Sequence, residues 1–207
     1  MTTAVILPVK SFANAKQRLG GPAREALAAA MVADVLDELG RAGLEPLIVV
    51  SREPRVRRAG IVAVVDERED GQSAAALLGI ARARELGCER ALLVPGDCPL
   101  IDGGELRVLA ARAESLDVVI VPDRHGTGTN GLALTTDGRF EPQFGPGSRA
   151  RHVEQARATG LAFEVVRVAC LELDVDTGSD AAALEAELER FPGRAPRTRV
   201  ALGRRAA

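Results

Sequence analysis

A single α/β domain, with a mostly parallel central sheet and helices on both of its faces, is the fold that this sequence predicts. Three observations lead there. Short apolar, β-branched runs alternate with helix-period segments along nearly the whole chain. With 207 residues, 46% of them hydrophobic, the chain can bury a sizeable core without disulfides or structural metals. The apolar run Ala91–Val94 also stops at Pro95-Gly96 and is followed at once by Asp97. That arrangement places a carboxylate outside the carboxyl end of a strand, where open α/β sheets gather their ligands.

The elements follow in order. Ala4–Leu7 is a short β-type run ending at Pro8. From Arg24 to Ala42, Leu27, Met31, Val35 and Leu39 recur at helical spacing and Gly43 closes the segment, which predicts a helix. Pro46–Ser51 and Ile61–Asp66 are β-branched strands. Ser73–Leu86 is a helix closed by Gly87, and Ala91–Val94 is the next strand. Glu105–Glu114 is helical and Val118–Val121 extended. Leu132–Thr135 and Phe163–Val168 alternate as strands, with a helix over about Arg149–Ala158 between them, and Ala181–Arg190 is the last helix. The domain runs over 1–191. The remaining stretch, 192–207, holds five Arg among Pro, Gly and Ala, and is expected to be a basic C-terminal tail, mobile or loosely docked, with a phosphate-steering or subunit-contacting arm as the alternative.

Composition excludes several classes. A net charge of −2 gives no global pull toward nucleic acid or an anionic membrane, and five Phe with no Trp or Tyr leave no base-stacking platform. Cys88, Cys98 and Cys170 form no CxxC pair, and His125 and His152 are not spaced as zinc ligands, so the cysteines read as reduced thiols. Met1–Pro8 lacks the basic start of a signal peptide and no run is long enough to span a bilayer; a soluble, cytoplasmic protein is expected.

Five segments could carry chemistry. Pro8, Lys10, Lys16 and Arg18 lie at or just past the end of the first strand, where doubly wound folds bind nucleotide phosphates, although the Gly-rich run of a Walker A loop is missing. Asp70-Gly71-Gln72-Ser73 opens a helix: Ser73 suits an N-cap, and Gln72 with Ser73 suits a nucleotide held against the turn. Pro122–Gly131, containing Thr129 and Asn130, is a Gly- and Thr-rich loop whose bare amides suit an anion as well as an ordinary surface turn. Phe144-Gly145-Pro146-Gly147-Ser148 delivers a helix N-terminus, a ready anion site, and Ser148 shares a helical face with His152; a plain cap with a surface His is the rival. Finally Asp174 and Asp176 alternate at another strand end, so only one of them points into a given site; Asp176, nearest the end, is the better metal candidate. Thr177 and Asp180 form a helix cap with a first-turn acid.

Together VILPVKSFANAKQRL, LLVPGDCPL, PDRHGTGTNGL, FGPGSRARH and LDVDT resemble the 2-phospho-L-lactate/phosphoenolpyruvate guanylyltransferases of coenzyme F-420 biosynthesis, from Val5 to about Leu184. The resemblance implies a single-domain, Rossmann-like nucleotidyltransferase (GT-A-like) fold and reaction of GTP with a phosphorylated three-carbon acid. Phosphoenolpyruvate is favoured over 2-phospho-L-lactate, with molybdenum-cofactor or sugar nucleotidyltransferases and a silent nucleotide-binding module as alternatives. It further implies that Asp97 and Asp176 hold Mg²⁺, with Asp97, Lys10, Lys16 and Arg18 as the catalytic set. Thr129, Gly145 and Ser148, with Asn130 and His152 beside them, would meet the acid. Pro8, Lys16, Gln72 and Ser73 would meet the nucleotide. A homodimer is also compatible with the resemblance.

Overall fold

The computed structural model describes residues 2–19 and 23–204. Seven strands form one sheet: β1 (Thr3–Pro8), β2 (Leu47–Val50), β3 (Ile61–Val64), β4 (Arg90–Leu93), β5 (Val118–Pro122), β6 (Thr129–Thr135) and β7 (Phe163–Val165). Six α-helices connect or flank them: α1 (Arg24–Ala42), α2 (Gln72–Glu85), α3 (Gly103–Ala113), α4 (Ser148–Ala158), α5 (Gly178–Arg190) and α6 (Pro196–Gly203).

The sheet order is β3-β2-β1-β4-β6-β5-β7. β1 pairs in parallel with β2 and β4, with Val5 opposite both Leu47 and Leu92. β6 alone runs antiparallel to its neighbours, because the short β5–β6 hairpin turns the chain straight back. The sheet is therefore mostly parallel, as the alternating pattern predicts.

Period-two alternation sorts the strands' side chains onto two faces. Val5, Leu7, Val49, Leu92, Val119 and Val121 pack with α1 and α3. Ala4, Ile6, Ile48, Val50, Leu93 and Ile120 pack with α2 and α4. α1 buries the stripe Leu27, Met31, Val35 and Leu39 and ends where Gly43 takes a left-handed φ of 63°, a conformation that costs glycine no Cβ clash. On α2, Gly79 is a packing requirement: a Cβ there would lie 2.3 Å from Ile6 Cγ2.

The basic tail is corrected. Beyond Phe191 the described chain forms α6, whose Thr198 and Leu202 are buried. Buried Asp34 of α1 accepts from the Thr198 amide at 2.8 Å and its hydroxyl at 2.7 Å, and pairs with Arg197. A buried carboxylate satisfied in this way anchors the segment onto α1 and α5. Residues 205–207 lie outside the described part. No helix among the described residues is long and apolar enough to cross a membrane.

Candidate active site

The parallel half of the sheet ends in one cleft of about 360 Å³, built from the segments that follow β1, β3 and β4 and closed by the segment before α5. Pro8, Lys10, Lys16, Gln72, Asp97 and Asp176 all line it. The first five end or follow strands, as the strand-end rule requires, whereas the strand expected before Asp176 is corrected, because 173–176 is irregular chain leading into α5.

At its centre the Lys16 ammonium bridges the two acids: it donates to Asp97 Oδ2 and, at 2.8 Å, to Asp176 Oδ1. Residues 81 and 160 positions from Lys16 thus converge on one cation. Burial alone would lower the Lys16 pKa, but Asp97 and Asp176 outweigh it and hold the ammonium above the usual lysine range. Lys16 also sits at φ 54°, a left-handed backbone that costs a side-chain-bearing residue of order 1–3 kcal/mol. The loop that holds it is pinned from outside. Glu69 accepts from the Ser11 amide at 2.6 Å and the Asn14 amide group at 3.2 Å, while buried Glu53 accepts from Phe12 N. Arg55, first through its side-chain bond, and then the Phe12 amide hold Glu53 down at about 2.

The donor set fits Mg²⁺. Two hard carboxylates are spaced to share one cation, and no group of three or more His, Cys, Asp or Glu converges among the described residues. Two such carboxylates would leave the other positions of a Mg²⁺ ion to phosphate and water, the pattern that ion prefers. Asp174 does not line the cleft, although it is close enough to feel the charges of both Asp97 and Asp176. Its Oδ1 accepts from Asn130 Nδ2 at 3.1 Å, and burial, reinforced by Asp97, raises its pKa. The buried Cys98 thiol is raised well above its usual range, first by burial and then by Asp97, which leaves it no nucleophile.

The acid-side residues form a second group outside the cleft lining. Thr129 opens β6, three residues earlier than the alternation predicts, and its hydroxyl lies 3.0 Å from His152 Nδ1. His152 Nε2 accepts from the Gln143 amide at 2.8 Å, so the proton is on Nδ1 and is given to Thr129. The Thr129 hydroxyl proton is then free for another acceptor. His152 is fully buried against Phe140 and Phe144, with both nitrogens engaged. It cannot touch a substrate, and the sequence expectation for it is corrected: it positions Thr129.

Other expectations change as well. Asn130 gives its amide to Leu171 O at 2.8 Å and to Asp174, bracing the irregular acidic segment before α5. The Gly-Thr loop is a hairpin whose Thr127 and Gly128 amides are bound by Asp123, hence not bare. Ser73 is not the cap of α2, which is Gly71; its hydroxyl accepts from Phe144 N at 2.8 Å and ties the turn before α4 to α2. Gly147, at φ 71°, caps α4; Ser148 is buried, and the first two amides of the helix go to Gly145 O and Thr127 O. Gly145 is exposed at φ 109°. Arg18 is exposed on a short 3-10 turn and does not line the cleft. The Thr177–Asp180 capping box forms as expected. Sequence reasoning missed Asp66 and Glu69 as cleft residues. Asp66 was findable, since it stands after β3 as Asp97 stands after β4.

Residues 3–186 match a family model described as guanylyl transferase CofC like. A phosphoenolpyruvate guanylyltransferase of Conexibacter woesei is 42% identical over 96% of this chain and 94% of its own. A 2-phospho-L-lactate guanylyltransferase of Methanothermobacter thermautotrophicus is 33% identical over 87% of this chain and 82% of its own. In fold, the chain is similar to a solved nucleotidyl transferase from the same organism, with TM-score 0.69 and 18% identity over 92% of this chain and 99% of that one.

Proposed function

The chain belongs to the CofC-like guanylyl transferase family, and from that premise we propose that it joins the guanylyl group of GTP to phosphoenolpyruvate. The products are enolpyruvyl-diphospho-guanosine and diphosphate, in coenzyme F-420 biosynthesis. The observation that carries the reading is the convergence of Asp97 and Asp176 on the Lys16 ammonium in the cleft.

In the proposed step a phosphate oxygen of the acid attacks the α-phosphorus of GTP. A new P–O bond forms as the bond from the α-phosphorus to the bridging oxygen breaks, and the electron pair leaves with diphosphate. A phosphate oxygen is already ionised at neutral pH, so no protein base is needed. Buried, doubly bonded His152 and the raised Cys98 thiol are in keeping with that. Asp97 and Asp176 would hold Mg²⁺, which when bound supplies charge neutralisation and alignment of the phosphates.

The chain's own residues do the rest. Lys16 and exposed Lys10 present fixed positive charge to the polyphosphate. The pinned loop keeps that charge in place and so reduces reorganisation during transfer. Thr129, its acceptor side taken by His152, offers its proton to an acid oxygen beside the Ser148 helix end.

The test is a panel of phosphoenolpyruvate, 2-phospho-L-lactate and 3-phospho-D-glycerate with GTP and Mg²⁺, read as kcat/KM for diphosphate release. Phosphoenolpyruvate should lead. A higher value for 2-phospho-L-lactate moves the assignment to that acid, and release with none of them rejects the acid class.

A further inference from the structure

The metal-binding carboxylates and the lysines account for the phosphate end of the cleft; nothing so far explains how it recognises a base. Guanine differs from the other bases at one edge, where N1–H and the 2-amino group stand side by side as two donors. A site that selects it needs an acceptor pair in a dry place, because an unmet donor there costs far more than in water.

The far end of the cleft, away from β4, is lined by two carboxylates, Asp66 and Glu69. Glu69 spends both oxygens on the Ser11 amide and the Asn14 side chain. Asp66 is 8% exposed and its Oδ1 accepts from Glu69 N at 3.0 Å. Among the described residues its Oδ2 has no partner, although the residue lines the cleft. A carboxylate more than nine-tenths buried and held in place by its own turn, with Oδ2 open and a second lone pair left on Oδ1, keeps two acceptor positions for a pair of donors.

Its place in the sheet suits the base. Asp66 follows β3 and Asp97 follows β4, three strands apart in the order β3-β2-β1-β4. Three strand spacings come to roughly 14 Å, so a nucleotide with its α-phosphate at Asp97 can lay its base toward Asp66. The ground between them includes Pro8, Val9 and Ala75, which leave an apolar floor for a flat ring. Through Glu69 the Asp66 turn is also bonded to the loop that carries Lys16, so base and phosphate ends share one framework.

We propose that Asp66 selects guanine by accepting from its N1–H and 2-amino group. This rests on GTP being the nucleotide substrate, and extends it to base specificity. The same carboxylate rejects adenine and cytosine, whose ring nitrogen at that edge carries a lone pair. It also rejects xanthine, whose 2-oxo group is an acceptor.

Calorimetric binding of GTP, ITP, XTP and ATP to the full chain and to Asp66→Asn, with Mg²⁺ and no acid, tests it. The wild type should bind GTP about tenfold or more tighter than ITP, which lacks the 2-amino donor, since one hydrogen bond to a charged group is worth that much. ATP and XTP should be weaker still. Asparagine keeps an acceptor for Glu69 N and presents an amide donor to the cleft, so Asp66→Asn should lose GTP affinity about a hundredfold and bind XTP better than GTP. That gain also shows the variant folded. Equal wild-type affinities for GTP and ITP, or an Asp66→Asn protein whose preference for GTP over XTP is within twofold of wild type, would overturn the proposal. Because no acid is present, an error in the acid assignment leaves this result standing, while the acid panel would expose that error separately.

Discussion

Removing the imidazole of His152 should flatten one stretch of the protein's stability–pH curve. Burial, with a smaller contribution from Arg151, lowers the His152 pKa from 6.5 to about 4. Above pH 6.5 neither the folded nor the unfolded chain binds a proton here. Between 6.5 and about 4 only the unfolded chain does, so stability falls as pH falls; below about 4 both do and the loss stops growing. The interval corresponds to roughly 3 kcal/mol, a large share of a typical domain's stability. Protonation would also require Nε2 to give up the Gln143 amide, which fits the direction of the shift. Urea unfolding at a series of pH values, for wild type and His152→Gln, isolates the effect as a difference curve. That curve should be level above pH 6.5 and drop by about 3 kcal/mol by about pH 4. Glu53 loses its own contribution only lower, between 4.5 and about 2. A difference curve that stays level throughout, or rises as pH falls, would refute the buried neutral imidazole and the Thr129 hydrogen-bond assignment built on it.

Three further outcomes follow from the geometry. Asp97→Asn should keep its fold and its melting temperature within a few degrees while losing at least about a hundredfold in kcat, because a neutral amide is a poor ligand for a hard cation; near-normal turnover in a folded variant would remove Asp97 from the reaction. Gly79→Ala should destabilise by about 1–2 kcal/mol despite alanine's better helix propensity, since its Cβ would overlap Ile6 Cγ2, a buried branched methyl that cannot swing away; unchanged urea midpoints would contradict the tight α2–β1 approach. Asp34→Ala should cost about 3 kcal/mol by orphaning the Thr198 donors and freeing Arg197, and should make the chain after Phe191 protease-sensitive while guanylyl transfer persists at low temperature. Resistance equal to wild type would show α6 docked by other means.

Strong periodic signals were legible in the sequence, and those that depend on partners far along the chain were not. α1 spans Arg24–Ala42 as its apolar spacing and Gly43 indicate, because one stripe and one terminator decide it locally. Asp97 could be nominated from its strand-end position; Asp176 was nominated on a strand that does not form, since 173–176 is irregular, yet the two acids do converge. The direction of β6 could not be read, since alternation has the same period whichever way a strand runs. α6 was hidden by its proline and arginines: only Thr198 and Leu202 bury, too few for a periodic stripe. His152 was read as an acid-site residue, with a surface His as the rival, because it shares a helical face with Ser148 among Arg149, Arg151 and Glu154; its burial is set by Phe140, Phe144 and Gln143, which no spacing rule connects to it. Lys16 is visible as a phosphate-loop cation, but its left-handed backbone and its bridge between two carboxylates exist only in the folded chain.

The central claim is that the acid's phosphate oxygen displaces diphosphate from the α-phosphorus of GTP in this cleft. Phosphoenolpyruvate labelled with ¹⁸O in its phosphate group, incubated with unlabelled GTP, Mg²⁺ and the protein, tests it in one mass spectrum. The account predicts a guanosine product that carries the label and a diphosphate that carries none. Labelled diphosphate, or a guanosine product without label, would contradict it.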